Sequence, residues 1–269
     1  MKVKGEGFTS VQGRQEAREI LERHRLVFKE LEGVTGACRA FITSVNIRGQ
    51  DTEQEKQRII ALVLGIRLLE ISEAALLVIG SGMSNEADTL FRVFLDAYFV
   101  FANVCTDPGF IVGYFKSDEA ARLKLMNSAK KHDSELFKTI NAYATDQLKK
   151  DLKQKIAEEN IRAFNTYAYA DNAGCSALYD SMYRLMSASL HTTPRSLLKY
   201  VEEDRLGKII EIKYHPTEDD IPQRIYDFAY RLIKVLSGLK ETFGLLSTEE
   251  IEAMTRRLEK SVRRQTEPS

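Results

Sequence analysis

The run IIALVLGIRLLEISEAALLVI, Ile59 to Ile79, decides between two folds. It is about as long as the roughly 20 apolar residues that carry a helix across a bilayer. Arg67, Glu70 and Glu73 interrupt it, and charges at that depth are expensive in lipid. The same run sits well at the centre of a helical bundle, where its polar positions can turn to water or to partners. A helix is expected from Thr52 to Ile79, capped by Asp51 or Thr52, and no membrane association is expected.

The rest of the chain supplies the other helices. Upstream, Ala17, Ile20, Leu21 and Phe28 share one face of a helix from Gln12 to Leu31, which Gly33 and Gly36 loosen before Ala37 to Val45 resumes it. Downstream, Gly80 to Asn85 is a break, and Ser84 or Asn85 can cap a helix over Glu86 to Val104 that Pro108-Gly109 stops. Ser117-Asp118-Glu119 reads as the start of the next helix, to about His132. Asp133 to Asn160 is polar and lysine-rich, a solvated hairpin or a surface helix. Asp171 to Gly174 is a second break. Ser176 to Leu190 is helical, and Ser196 to Glu203 is a short helix. Only Lys208 to Tyr214 alternates like a strand. Pro222 to Phe243 and Thr248 to Arg264 close the chain as helices. The fold class is all-α, a multi-helix bundle with a small β insertion near residues 208–214. Its expected division is an N-terminal helical segment over 1–50, a bundle over 51–246, and a C-terminal helix with a basic tail over 247–269.

Composition narrows the function. The 269 residues are 43% hydrophobic and 29% charged with only five prolines, which suits a sizeable core, a polar surface and long helices. Lys plus Arg (39) equals Asp plus Glu (39), so the basic excess of a duplex-DNA binder is missing. A small RNA site built from a few local arginines is compatible with that balance. Cys38, Cys105 and Cys175 are too scattered for a disulfide framework or a zinc site. They read as small apolar residues in a reducing compartment. Met1 to Ser10 has no apolar signal core, and the expected location is cytoplasmic. No H-E-x-x-H, Walker A, G-x-G-x-x-G or G-x-S-x-G motif occurs, which turns the search away from zinc proteolysis, P-loop hydrolysis and serine-hydrolase chemistry. Gly80-Ser81-Gly82 reads as a turn, and His24, between two arginines, as exposed. No cofactor and no metal is expected.

Two helices carry unusual polar residues. In Leu90 to Ala102, Arg92 and Asp96 are the only charges, one turn apart on one face. An isolated buried charge needs a partner, so they either pair structurally or face a cleft together. In Asp180 to His191, the residues Asp180, Arg184, Ser187 and His191 recur at helical spacing as one polar stripe, with Tyr183 beside it. An arginine can hold a phosphate oxygen bidentately and a histidine can move a proton near neutrality, and cleavage of RNA through its own 2′-hydroxyl needs little more. The same spacing also serves plain structure: His191 can cap the last carbonyls of its helix, and Ser187 can bond back to its own turn.

Together the two helices resemble a bacterial family of helical proteins of unknown function. Asp88 to Tyr98, closing at Asp107-Pro108, is similar to its R-x-x-x-[ED] helix. The run from Tyr179 through Tyr183-Arg184-Leu185-Met186-Ser187 to His191 is similar to its later Y-x-x-[LM]-S-x-x-x-H helix. The resemblance covers roughly Ile59 to Phe243. The second helix also resembles the HEPN superfamily of helical nucleotide-binding and ribonuclease domains, whose signature is an arginine, four to six residues, and a histidine. It implies a metal-independent endoribonuclease in a defence or toxin setting, with Arg184 on phosphate, His191 as general acid or base and Ser187 assisting. Arg92, Asp96, Tyr183 and Asp180 would support them. The residue after the arginine is usually polar in active members and is Leu185 here, which opens a binding-only descendant. The resemblance also implies a homodimer or hetero-complex, for which Phe243 to Leu246 with Ile251, Met254 and Leu258 reads as apolar surface. Two rivals stand beside it. A non-catalytic helical partner would bury Arg184 and His191 in the core. A small-molecule sensor would line one pocket with Tyr98, Tyr167, Tyr169 and Tyr183.

Overall fold

The computed structural model describes every residue but 1, 48, 50, 51, 133, 191–193 and 267–269, and only the backbone at 2, 188–190, 195 and 266. In chain order, the strand β1 (Lys2–Lys4) precedes helices α1 (Val11–Arg23), α2 (Arg25–Ser44), α3 (Glu53–Gly80), α4 (Ser84–Thr106) and α5 (Phe110–Ala129). Two short helices follow, α6 (Lys138–Tyr143) and α7 (Asp146–Glu158), then α8 (Thr166–Asn172). Ser176–Leu178 (α9), a π-helical turn at Tyr179–Tyr183 and Arg184–Leu190 (α10) run on without a break. Pro194–Leu197 (α11) and a 3-10 turn at Leu198–Tyr200 lead to β2 (Val201–Glu203) and β3 (Ile209–Lys213), and α12 (Ile221–Thr242) and α13 (Thr248–Thr266) end the chain. The fold is the expected all-α bundle with a small sheet.

The core forms where α3, α4 and α12 meet, with α2 alongside. Helix α12 buries Ile221, Ile225, Phe228, Leu232, Leu236 and Leu239, which recur every three or four residues. At about 1.5–3 kcal/mol for each large side chain fully buried, this one face outweighs any single polar contact. Phe94, Phe99 and Phe101 of α4 are fully buried, and Phe94 meets Phe228 edge to face, with centroids 5.8 Å apart. Gly65 lets α3 approach α12, because a Cβ there would stand 2.9 Å from a Leu239 methyl. Thr52 caps α3 by accepting from the Glu55 N–H at 3.2 Å. By length and composition α4 could cross a membrane, but half of that stretch is buried inside the protein.

Several expectations change. The first long helix breaks at His24 and not at its glycines, and Gly33 and Gly36 lie inside α2. His24 is not exposed: its ring nitrogens bond Gln265 Oε1 at 2.9 Å and Glu218 Oε2 at 3.2 Å. Helix α5 starts at Phe110, seven residues before the expected cap (117 minus 110). Ser117 is buried inside it and donates to the Tyr114 carbonyl at 2.6 Å. Of Ser196 to Glu203 only the first part is helical. Its end is β2, which pairs antiparallel with β3, while β1 pairs parallel on the other side. Ile251, Met254 and Leu258 do not form open apolar surface. They are buried in the chain's own core, which runs from Ile20 to Leu258 through all three expected segments. Asp133 to Asn160 resolves into α6 and α7, which share a small separate core of Met126, Ala144 and Leu152 with α5. Burial pushes the Cys38 thiol up to about 12 and that of Cys105 to about 11.

Candidate functional site

Helix α4 presents Asp88, Arg92 and Asp96 one turn apart, α8 and α10 pack against α4, and Tyr183 of the π-helical turn reaches the row. The Arg92 Nε donates to Ser187 Oγ at 3.0 Å, and its other arm pairs with Asp96. Its guanidinium lies over the Tyr183 ring, 3.6 Å from the centroid. Asp96 also accepts from the Tyr183 hydroxyl at 3.0 Å and from Thr166 at 3.4 Å. Ser187 in turn donates to the Tyr183 carbonyl at 2.8 Å, so the expected back-bond exists together with the contact across helices. Burial pushes the Arg92 pKa down, while the neighbouring Tyr183 and Tyr179 oppose this.

The structure therefore brings together Arg92, Asp96, Tyr183 and Ser187 of the expected residues. It does not bring Arg184 and Asp180 to them. Those two pair with each other at 3.1 Å on the outer face, with side chains 66% and 55% exposed. The stripe divides at the π-helical turn: Tyr183 and Ser187 face α4, while Asp180 and Arg184 face water. Turns of this kind are rare and recur at functional sites. An aromatic ladder joins the two halves. Tyr183 stacks on Tyr179 with centroids 4.5 Å apart, and the Arg184 guanidinium lies 5.7 Å from the Tyr179 ring centre. His191 lies outside the described residues. Asn103, two turns along α4, is buried and donates to the Tyr169 carbonyl at 2.7 Å, tying α8 down. The four tyrosines of the sensor reading part company. Tyr98 stacks on Phe94, Tyr183 is buried, and Tyr167 is 45% exposed, edge to face with the Tyr179 ring. Tyr169 lines a cleft with Phe110 and Tyr114.

One charged cluster escaped the sequence. Asp88, 7% exposed, accepts from Arg224 at 3.0 Å and Lys199 at 2.8 Å, which joins α4, α12 and the 3-10 turn. Beside it a cavity of about 380 Å3 is walled by Met182, Leu185 and Met186 and by the carboxylate of Asp227. Burial pushes the Asp227 pKa up to about 6. The available signal was position: Asp88 stands one turn before Arg92 in the same row. Nothing in the sequence marks Arg224, 136 residues away, as its partner. Among the described residues no three His, Cys, Asp or Glu side chains are grouped to hold a metal ion.

The sequence model of a family of unknown function, DUF5677, matches residues 58–209, more than half of the chain. The match holds both site helices and ends before α12. No curated protein and no solved structure matches the chain.

Proposed function

The chain belongs to the DUF5677 family, and from its site we propose an RNA- or nucleotide-phosphate-binding protein that cleaves RNA without a metal ion. The observation that carries the reading is the placement of Arg184. It stands two-thirds exposed just after the π-helical turn, held by a half-exposed carboxylate on its own helix. Such a surface pair is worth about 0–1 kcal/mol, so a phosphate can take the guanidinium from Asp180 and use its planar fork. The Arg92 cluster beneath fixes the direction of the helix. Seven residues on, His191 completes the arginine–histidine spacing that resembles the HEPN signature. In the proposed step His191 takes the proton of the 2′-hydroxyl, whose oxygen attacks the adjacent phosphorus. The bond from phosphorus to the 5′-oxygen breaks, and that oxygen takes a proton from water. The products are a 2′,3′-cyclic phosphate and a 5′-hydroxyl end, and Arg184 steadies the charge on phosphorus.

The test is cleavage of total RNA by the purified chain, with and without EDTA. His191→Ala is expected to reduce cleavage about 10²–10⁴-fold. Arg184→Ala is expected to weaken both binding and cleavage, and Arg184→Lys to restore only part of them. Cleavage that persists in His191→Ala removes histidine chemistry from the account. A non-catalytic helical partner is the second reading. Its expectation of a core-buried Arg184 is not met, since that side chain is 66% exposed. What favours it is that Arg92, Asp96, Tyr183 and Ser187 satisfy one another. Wild-type protein that binds RNA without cutting it selects that reading.

A further inference from the structure

Between α2 and α13 runs a groove of about 800 Å3. Its floor is apolar and shallow: Val34 and Met254 are buried, Ala37 and Ala253 are small, and a Cβ added at Gly33 would meet nothing within 4 Å. Its walls are cationic, with Lys29 on α2 and Arg256, Arg257 and Lys260 on α13. The two carboxylates at the rim are engaged. Glu250 pairs with Lys240, and Glu30 accepts from Ser261 at 2.9 Å. Arg256 is shared with Glu252 at 3.1 Å, while Lys29, Arg257 and Lys260 have no ion-pair partner among the described residues.

Three of these four cations form no ion pair among the described residues. The chain has as many anions as cations, and many of them pair, as in Lys116 with Glu159 and Lys155 with Glu119. At this groove four cations stand together, and along α13 they recur at 256, 257 and 260, a spacing of three or four residues that keeps them on one side of the helix. The rise is about 5.4 Å per turn. A polyanion with regularly spaced charges fits such a row. An amphipathic peptide fits poorly, since it would seek deep apolar pockets for anchors one turn apart, and this floor is made of small side chains.

We propose that the α2–α13 groove binds the phosphate backbone of single-stranded RNA. It takes the ligand class from the reading above but uses none of the residues of α10. The measurement is fluorescence anisotropy of a labelled oligouridylate against salt concentration. Four engaged cations predict a slope of about −2.8 for the logarithm of the binding constant against that of salt. The double variant Arg257→Gln/Lys260→Gln is expected to bind about tenfold more weakly and to halve the slope to about −1.4, with its circular dichroism unchanged. Lys149→Gln/Lys153→Gln on α7 removes the same net charge from another surface and is expected to leave binding as it was. Unchanged binding in the groove variant overturns the proposal, as does equal weakening by the α7 variant. Polyglutamate that binds while oligouridylate does not would assign the groove to an acidic protein instead. Cleavage is not read in this assay. Binding lost on Arg184→Ala alone would leave the ribonuclease reading standing and remove the groove.

Discussion

At Arg92 three interactions converge on one guanidinium: the pair with Asp96, the bond to Ser187 and the stack on Tyr183. Breaking a fully buried pair costs about 3–5 kcal/mol. Asp96 is a third exposed, so Arg92→Ala is expected to cost about 2 kcal/mol in urea unfolding. Arg92→Lys should recover only part, because a point charge cannot both reach Ser187 and lie flat on a ring. A loss under about 0.5 kcal/mol, the size of an ordinary surface change, would show that the cluster does not brace the helices. Asp227 makes a pH prediction. Burial raises its pKa to about 6, with Asp88 adding to the rise and Gln223, Arg231 and Arg224 opposing it. The folded chain therefore holds this proton more tightly than the unfolded chain, where an aspartate titrates near about 3.9. The stability it lends is full below about pH 4 and is lost as the pH rises through about 6. Asp227→Asn keeps the shape without the charge, so it should match wild type near about pH 4 and exceed it by about 1–2 kcal/mol near about pH 8. The same difference at both pH values would mean that titration has no part in it. Arg92 and Asp96 were legible because they are lone charges in an apolar helix, one turn apart. Asp88 stood in the same row, but its burial depends on Arg224 and Lys199, which only the folded chain brings near.

At the scale of elements, the long helices were legible because their apolar residues recur on one face and their ends carry physical stops. Thr52 caps α3, and Pro108 follows α4. The departures share a cause: local signals give way where tertiary packing decides. Ser117-Asp118-Glu119 looks like a cap, yet the aromatic run before it is helical, because Phe110 and Tyr114 stack at 6.0 Å and Phe110 meets Tyr169 at 5.1 Å. Gly33 and Gly36 look like breakers, but α2 packs along α3 and α12, and that burial exceeds the roughly 1 kcal/mol a helical glycine costs. Strands β1 and β2 are three residues each, too short to show a period, and they exist because β3 offers them two edges. The division of the 180–187 stripe has the same origin. Spacing put Asp180, Arg184 and Ser187 on one face, and spacing assumes a uniform helix. The π-helical turn breaks that assumption where Tyr179 and Tyr183 must both stack and Tyr183 must reach Asp96.

For the whole molecule, the division at 50 and 246 meets a core that ignores both boundaries. Ile20 to Phe41 from the first segment and Ile251, Met254 and Leu258 from the last pack into one cluster with α3, α4 and α12. The polar ties follow the same plan: Gln265 bonds His24 at 2.9 Å and Ser261 bonds Glu30 at 2.9 Å, so the two ends of the chain clasp each other. Three large side chains of α13 are buried, at about 1.5–3 kcal/mol each, and removing them would expose the faces of α2 and α12 that they cover. The sum, about 4.5–9 kcal/mol, is comparable to the whole stability of an ordinary domain, about 5–15 kcal/mol. A chain ending at Leu246 is therefore expected to lose its cooperative thermal transition, with near-ultraviolet dichroism from its tyrosines collapsing while much of the far-ultraviolet helical signal stays. Cooperative melting of that shortened chain within about 5 °C of the full one, a shift worth only about 1–2 kcal/mol at this size, would make residues 247–269 an appendage. The RNA groove would then have one fixed wall and one movable one. If the shortened chain fails to fold, the cationic row of α13 is carried by an element the core cannot do without, and loss of RNA binding must be sought with point variants of Arg257 and Lys260 instead of truncations.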